Sequence, residues 1–120
     1  MAAIGAEAER MRGRSEAAGA GLHGVERRRL ETHPDARGTF TEMFRESWDC
    51  GVRPVQWSLA RSRAGVLRGV HVHLVHDDYL VIVDGRAAIG LRDLRRGSPT
   101  EGRAALVELS ADDLAALVIP

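Results

Sequence analysis

The sequence contains no lysine, only one cysteine and few aromatic residues. All 17 basic side chains among the 120 residues are arginine, which excludes any mechanism that needs a lysine amine. Cys50 cannot form an intrachain disulfide, which is typical of a reducing compartment. No apolar run approaches the roughly 18 residues of a membrane-spanning helix, and the first residues have no apolar segment of the signal-peptide type. We therefore expect a cytoplasmic protein with no membrane partner.

An excess of charge of either sign is also missing. Seventeen acidic residues balance the 17 basic ones, so no net field attracts the chain to nucleic acid or to an anionic membrane. We expect no nucleic-acid partner, and any anion must be recognised by individual arginines. Hydrophobic residues make up 44% and charged residues 28% of the chain, which is typical of one small globular domain of this length.

Short β-like runs interrupted by turn residues begin at Val25. Residues 1–22 form a predicted N-terminal extension, poorly ordered or with a short helix over Ala6–Met11, and residues 23–120 form the predicted domain. His33–Asp35 reads as a turn, because it contains proline and aspartate. The candidate strands are Val25–Leu30, Thr39–Phe44, Val55–Ala60, Val66–His73, Tyr79–Val83, Ala87–Asp93, Ala104–Leu109 and Ala116–Ile119.

These strands predict an all-β fold, an antiparallel jelly-roll barrel of the cupin type. The pair Asp84-Gly85 between two apolar runs predicts a hairpin, and Ser110–Asp113 predicts one capped helical turn. The last strand reaches Pro120 with no closing element after it, which would leave a sheet edge unpaired. We therefore expect a barrel that is incomplete at its C-terminal end.

Histidines dominate the most informative stretch of the chain. His71 and His73 stand two residues apart on a predicted strand, so both side chains would project to one face. His76 and Asp78 follow closely. Arg68 has the opposite parity, but a bulge at Gly69 would return it to the face of His71. An arginine fork beside an imidazole suits an anionic substrate from which a base removes a proton.

Four motifs in series carry a resemblance to a known family. The run "GVLRGVH" at Gly65–His71 resembles the G-V-L-R-G-L-H signature of dTDP-4-dehydrorhamnose 3,5-epimerases. Three further stretches resemble motifs of the same family in the same order, and all four span most of the chain from Gly24 to Pro120. These stretches are "DARGTFTEMF" at Asp35–Phe44, "LRDLRRGSPTEG" at Leu91–Gly102 and "LSADDLAALVIP" at Leu109–Pro120.

The resemblance implies an epimerase of a dTDP-4-keto-6-deoxy sugar that needs no cofactor and no metal. Its chemistry inverts C3 and C5, which the 4-ketone acidifies, and a rhamnose precursor is the default sugar. Carried over to this sequence, His71 is the general base, and Arg68 holds the substrate near the developing negative charge. The resemblance further implies a thymidine-diphosphate sugar as the bound partner and a homodimer as the assembly.

The remaining substrate contacts also follow from the resemblance. Gln56 and Ser58 fall in the family's Q-x-N-x-S element, which contacts the nucleotide sugar, with serine here where the family has asparagine. Tyr79 replaces a lysine that stabilises the enolate in the family. A further set matches residues that grip the nucleotide across a dimer interface, and it comprises Arg37, Phe40 and Glu42.

The family's catalytic tyrosine and the aspartate that pairs with its histidine would lie beyond Pro120. We therefore expect the 120 residues by themselves to have little or no activity.

Three alternatives remain open from the residues. His71, His73 and Asp78 nearly complete a cupin metal motif, with aspartate in place of glutamate, which would suit a metal-dependent dioxygenase or isomerase. The run "RGVHVH" also fits sugar-nucleotide 3,4-ketoisomerases, whose chemistry is again proton transfer beside a ketone. A non-catalytic paralogue that only binds a sugar nucleotide is the third possibility.

Overall fold

A computed structural model describes residues 15–16 and 20–120, and its regular structure there is almost entirely β-strand. One short 3₁₀-helix, Glu46–Trp48, is the single helical element of that part of the chain. The predicted all-β fold is confirmed. The strands are β1 (Ser15–Glu16), β2 (Glu26–Arg29), β3 (Thr32–Asp35), β4 (Gly38–Thr41), β5 (Asp78–Val81), β6 (Arg86–Arg92), β7 (Ala104–Ser110) and β8 (Ala115–Ile119).

Strand β8 lies in the middle of the largest sheet. The order of this antiparallel sheet is β1-β2-β8-β5, and Leu117 stands opposite Arg27 on one side and Leu80 on the other. Residues Ala115–Val118 are all buried, as expected for a continuous apolar run covered on both faces. The sequence of β8 therefore specifies a central strand.

A second sheet consists of β6 and β7, paired from Arg86 opposite Ser110 to Arg92 opposite Ala104. Burial alternates along both strands, so one face is apolar and the other faces solvent. The apolar face contributes Val107 and Leu109 to the core, where they join Ala115 and Leu117 of β8. The core thus forms where the two sheets meet.

Strands β3 and β4 form a separate exposed hairpin, which we call the β3–β4 hairpin. Its register runs from Thr32 opposite Thr41 to Asp35 opposite Gly38, so the turn falls at residues 36–37. The hydroxyls of Thr32 and Thr41 lie 2.7 Å apart and form a cross-strand hydrogen bond. The prediction of a turn at His33–Asp35 is wrong, because Pro34 lies in a hairpin strand where a missing N–H is tolerated.

The pair Asp84-Gly85 does not close a hairpin, in contrast to the prediction. Strand β5 pairs with β8 and β6 pairs with β7, so these two residues carry the chain from one sheet to the other. Gly85 has a φ of +71° at this bend, which glycine adopts without strain, and its carbonyl accepts a hydrogen bond from Ala111 N–H (2.9 Å). Burial of β8 between two partners outweighs the local turn signal.

The predicted helical turn at Ser110–Asp113 is a β-type turn. Ser110 Oγ accepts a hydrogen bond from Asp112 N–H (3.1 Å), and Ser110 bridges to Asp113 in the antiparallel sense. The serine side chain competes with the helical backbone bond, and the short run before β8 leaves no room for a helix.

Residues 53–77, which we call the exposed segment, form no strand. The predicted strands Val55–Ala60 and Val66–His73 both fall in it, and both predictions are wrong for the described chain. Apolar side chains there face solvent, Leu67 and Val70 being 95% and 97% exposed. A strand is stable only when a neighbour pairs with it, and no described strand pairs with this segment.

Three sheets that do not join into a closed barrel agree with the expectation of an incomplete barrel. The predicted short helix at Ala6–Met11 lies outside the described residues, and the domain boundary at residue 23 stays a prediction. Within residues 15–16 and 20–120, no helix has the length and apolar character needed to cross a bilayer.

The position of Leu117 predicts a large effect of truncation. Leu117 is fully buried in β8, so Leu117→Ala should lower the free energy of unfolding by about 3 kcal/mol. Leu106→Ala is the matched control, because Leu106 is 67% exposed and should contribute less than about 0.5 kcal/mol. Urea denaturation followed by circular dichroism measures both, and equal losses would contradict the central place of β8.

Candidate functional site

The exposed segment holds four of the predicted site residues. Gln56, Ser58, Arg68 and His71 all lie in it with exposed side chains. Arg68 is oriented by its own segment, since its guanidinium donates to Ser62 Oγ and to the carbonyl of Arg61 (2.8 Å). The bulged strand that would bring Arg68 and His71 to one face is not formed. The four residues therefore share one solvent-facing segment rather than the lining of a closed cavity.

The β3–β4 hairpin and the residue after it carry the three predicted nucleotide contacts. Arg37 pairs with Asp35 (Nη2 to Oδ2, 2.6 Å), and this hydrogen bond holds the pKa of Asp35 below its ordinary value. Phe40 is exposed, and Glu42 pairs with Arg45 (Oε2 to Nε, 3.2 Å). The hairpin thus presents an aromatic ring and a guanidinium to solvent, with the guanidinium partly neutralised by Asp35.

Tyr79 lies on β5 with its hydroxyl already engaged. The hydroxyl donates to the carbonyl of Met43 (2.6 Å), and burial raises the pKa of Tyr79 above its ordinary value. This side chain remains a neutral donor at every physiological pH. A hydrogen bond from Tyr79 to an enolate would require the bond to Met43 to break first.

Aromatic rings gather around Tyr79, a cluster that sequence reasoning missed. Four of the five aromatic side chains of the chain take part. Phe44 packs edge-on against Tyr79 (centroids 5.4 Å apart), and Trp57 also meets Tyr79 (6.0 Å). Trp48 lies against Phe44. The cluster connects the exposed segment at Trp57 to the central sheet, and the concentration of aromatics within residues 44–57 was its only signal.

A second constellation lies where the exposed segment enters β5. His73 Nε2 is 2.9 Å from Asp78 Oδ2, His76 Nε2 is 3.8 Å from Asp78 Oδ1, and the two imidazole rings lie 4.5 Å apart. One ligand atom from each residue falls within 4.8 Å of the others. The cupin alternative named His71 with His73 and Asp78, but the structure gathers His76 instead. The expected pairing of His71 with His73 required the parity of a strand, which residues 71–73 do not form, and the bend at residues 74–75 lies between His73 and His76.

The third family-like motif builds a hydrogen-bond network around buried Asp93. Ser98 and Thr100 both donate from their hydroxyls to Asp93 Oδ2 (2.6 Å each), and Arg95 pairs with the same carboxylate (2.8 Å). The pairing with Arg95 is the main cause that lowers the pKa of Asp93 well below its ordinary value. The backbone N–H of His23 donates to Thr100 Oγ1 (2.9 Å), and Arg95 also donates to the carbonyl of His23. This motif therefore fastens a loop to the start of the domain.

The model of one protein family matches residues 20–120, and its description is dTDP-4-dehydrorhamnose 3,5-epimerase. This match covers nearly all of the described residues. The chain belongs to this family. The resemblance predicted from four motifs is therefore confirmed, and the cupin-type fold class is confirmed with it.

Curated relatives and solved structures agree with the family. The probable low-salt glycan biosynthesis epimerase Agl13 of Haloferax volcanii is 37% identical over 83 residues, which are 68% of this chain and 53% of that protein. The spore coat polysaccharide biosynthesis protein SpsL of Bacillus subtilis is 32% identical over 99 residues, 82% of this chain and 66% of that protein. The chain thus spans between about half and two thirds of these relatives.

The fold resembles that of a solved family member. The crystal structure of dTDP-4-dehydrorhamnose 3,5-epimerase from Elizabethkingia anophelis matches with a TM-score of 0.71 at 30% identity, covering 82% of this chain and 58% of that one. The corresponding enzyme from Sulfolobus tokodaii matches equally well at 28% identity.

The Asp93 network predicts an acid-sensitive contribution to stability. Because the pKa of folded Asp93 lies below its ordinary value of about 4, its contribution is complete at neutral pH and is lost as the pH falls through and below that value. Asp93→Asn should lower the melting temperature at neutral pH and flatten its decline in acid. Asp84→Asn, at an exposed bend, is the control and should behave as the wild type. An unchanged acid profile in Asp93→Asn would contradict the network.

Proposed function

We propose that the protein is an epimerase of a dTDP-4-keto-6-deoxy sugar. The observation that carries the proposal is the family match over residues 20–120, which includes the run Gly65–His71. The relative Agl13, whose name includes the word epimerase, and the two solved epimerases support it. Epimerases are isomerases, and the description of the family, dTDP-4-dehydrorhamnose 3,5-epimerase, gives the proposed substrate as a dTDP-linked 4-keto sugar.

The proposed reaction begins with proton removal from carbon beside the 4-ketone. His71 accepts the proton at a ring nitrogen, the C–H bond breaks, and its electron pair moves into an enolate whose oxygen bears the negative charge. A second group returns a proton to the opposite face of the same carbon, which inverts it. The exposed ring of His71 is accessible to a sugar that approaches from solvent.

Arginine supplies the proposed recognition of the diphosphate. Arg37 and Arg68 are both exposed, and their guanidinium groups can neutralise the two phosphates. Phe40 is exposed on the β3–β4 hairpin, where it can pack against a nucleobase. Gln56 and Ser58 flank Trp57 and offer polar contacts to the sugar. Serine is shorter than asparagine, so the contact at position 58 is weaker than in the family pattern.

The assembly and location belong to the same proposal. We propose a cytoplasmic homodimer that binds neither nucleic acid nor membrane. The β3–β4 hairpin presents Phe40 outside the core, and the exposed segment presents a row of apolar side chains, as surfaces that a second copy could cover. The expectation that the 120 residues alone lack activity stays a prediction.

Solvent isotope exchange tests the role of His71. The protein as its gene encodes it, incubated with dTDP-4-keto-6-deoxyglucose in deuterium oxide, should incorporate deuterium at C3, at C5 or at both. His71→Ala should reduce this incorporation by about 100-fold or more, the usual contribution of a general base. His23→Ala is the matched control, because its exposed ring lies outside the proposed site. Exchange that survives in His71→Ala, as measured by mass spectrometry, would assign the base to another residue.

Removal of metals separates the epimerase from the metal-dependent cupin. Proton transfer through an enolate beside a ketone needs no metal in this mechanism, so treatment with a chelator should leave the exchange rate unchanged. Loss of exchange that Fe²⁺ or Mn²⁺ restores would favour the metal-dependent alternative. The rate is compared before and after dialysis against the chelator, with the same protein as its own control.

A further inference from the structure

We propose that His73, His76 and Asp78 form a binding site for a divalent transition-metal ion of the Zn²⁺ type. The site goes beyond the proposed function, because the exchange reaction does not use it and His71 is not one of its ligands. Two imidazoles and one carboxylate are a ligand set that Zn²⁺ accepts, with a fourth position left to water. All three residues lie within six positions of the sequence.

The distances fit a tetrahedral ion. Bonds of about 2.0–2.2 Å from zinc to nitrogen and oxygen place neighbouring ligand atoms about 3.4 Å apart. Asp78 Oδ2 lies 2.9 Å from His73 Nε2 and Asp78 Oδ1 lies 3.8 Å from His76 Nε2, and one ligand atom from each of the three residues lies within 4.8 Å of the others. Small rotations of the side chains would therefore bring the three atoms into the coordination sphere of one ion.

The surroundings hold two of the three ligands in place. Asp78 begins β5, where its backbone pairs with Ile119 of the central strand. His73 is only 13% exposed, so its ring has few alternative orientations. His76 is 60% exposed and leaves a path by which an ion can enter from solvent. The site thus combines two ligands that are held in place, His73 and Asp78, with a third, His76, that solvent can reach.

The orientation of the His73 ring also suits metal binding. A metal at Nε2 requires the proton to sit on Nδ1. Nδ1 of His73 is buried and has no hydrogen-bond partner among the described residues, so Nε2 is the ring nitrogen that faces the other two ligands. The carboxylate of Asp78 faces both imidazole rings, which lie 4.5 Å apart. A shared ion accounts for both contacts.

Titration with Zn²⁺ tests the site directly. Metal-free protein should bind one Zn²⁺ ion per chain in isothermal titration calorimetry, and Co²⁺ in the same site should give the visible absorption of tetrahedral coordination. Loss of a residue that only hydrogen-bonds to a metal ligand weakens metal binding by about 10–100-fold. Because His76 is itself a proposed ligand, His76→Ala should weaken Zn²⁺ binding by at least about tenfold. Asp78→Asn should do the same, because it removes the negative charge of the site.

His33→Ala is the matched control, since His33 lies on the β3–β4 hairpin, outside the site. Circular dichroism and a melting curve confirm that His76→Ala remains folded, as expected for a largely exposed side chain. Absence of Zn²⁺ binding in the wild type, or equal affinity in the wild type and His76→Ala, would overturn the site. Neither result affects the proposed epimerase, whose test is isotope exchange at His71.

Discussion

Burial of strand β8 between β2 and β5 is the interaction on which the rest of the structure depends. Its apolar run Ala115–Val118 is covered on both faces, and Leu117 joins the core side chains Val107 and Leu109 of the β6–β7 sheet. The last strand of the sequence therefore holds together the first strands of the domain and the strand that follows the exposed segment. Tyr79 lies on β5 of this frame, and Trp57 of the exposed segment packs against it.

The family motifs divide into a structural part and a chemical part. The motif around Asp93 is satisfied internally, since its carboxylate accepts from Arg95, Ser98 and Thr100 and the loop is bound to His23. The motif around His71 is the opposite: its polar and apolar side chains face solvent. A buried, fully paired carboxylate contributes stability and order, whereas an exposed imidazole is available to a ligand. A motif that is typical of the family can therefore stabilise the fold without contributing a residue to the substrate site.

Patterns of apolar and polar residues predicted the strands whose burial on one or both faces is visible in the sequence. The alternation in β6 and β7 and the apolar run of β8 gave strands within one or two residues of the observed ones. The exposed segment shows similar alternation at Val55, Trp57 and Leu59, but alternation is realised as a strand only when a neighbour pairs with it. The same dependence explains the histidines, because the predicted pairing of His71 with His73 assumed a straight strand. Tyr79 could not be placed from sequence, since its bond to Met43 joins residues 36 positions apart.

Hydrogen exchange measured with and without thymidine diphosphate tests most directly the claim that the exposed segment binds the nucleotide sugar. Amides of β8 should be protected in both states, because their bonds open only when the sheet unfolds. Amides of residues 55–60 and 67–73 should exchange rapidly in the unliganded protein and gain protection when thymidine diphosphate is added. Protection that appears only in the β6–β7 sheet, or no change in the segment at a saturating nucleotide concentration, would contradict the account.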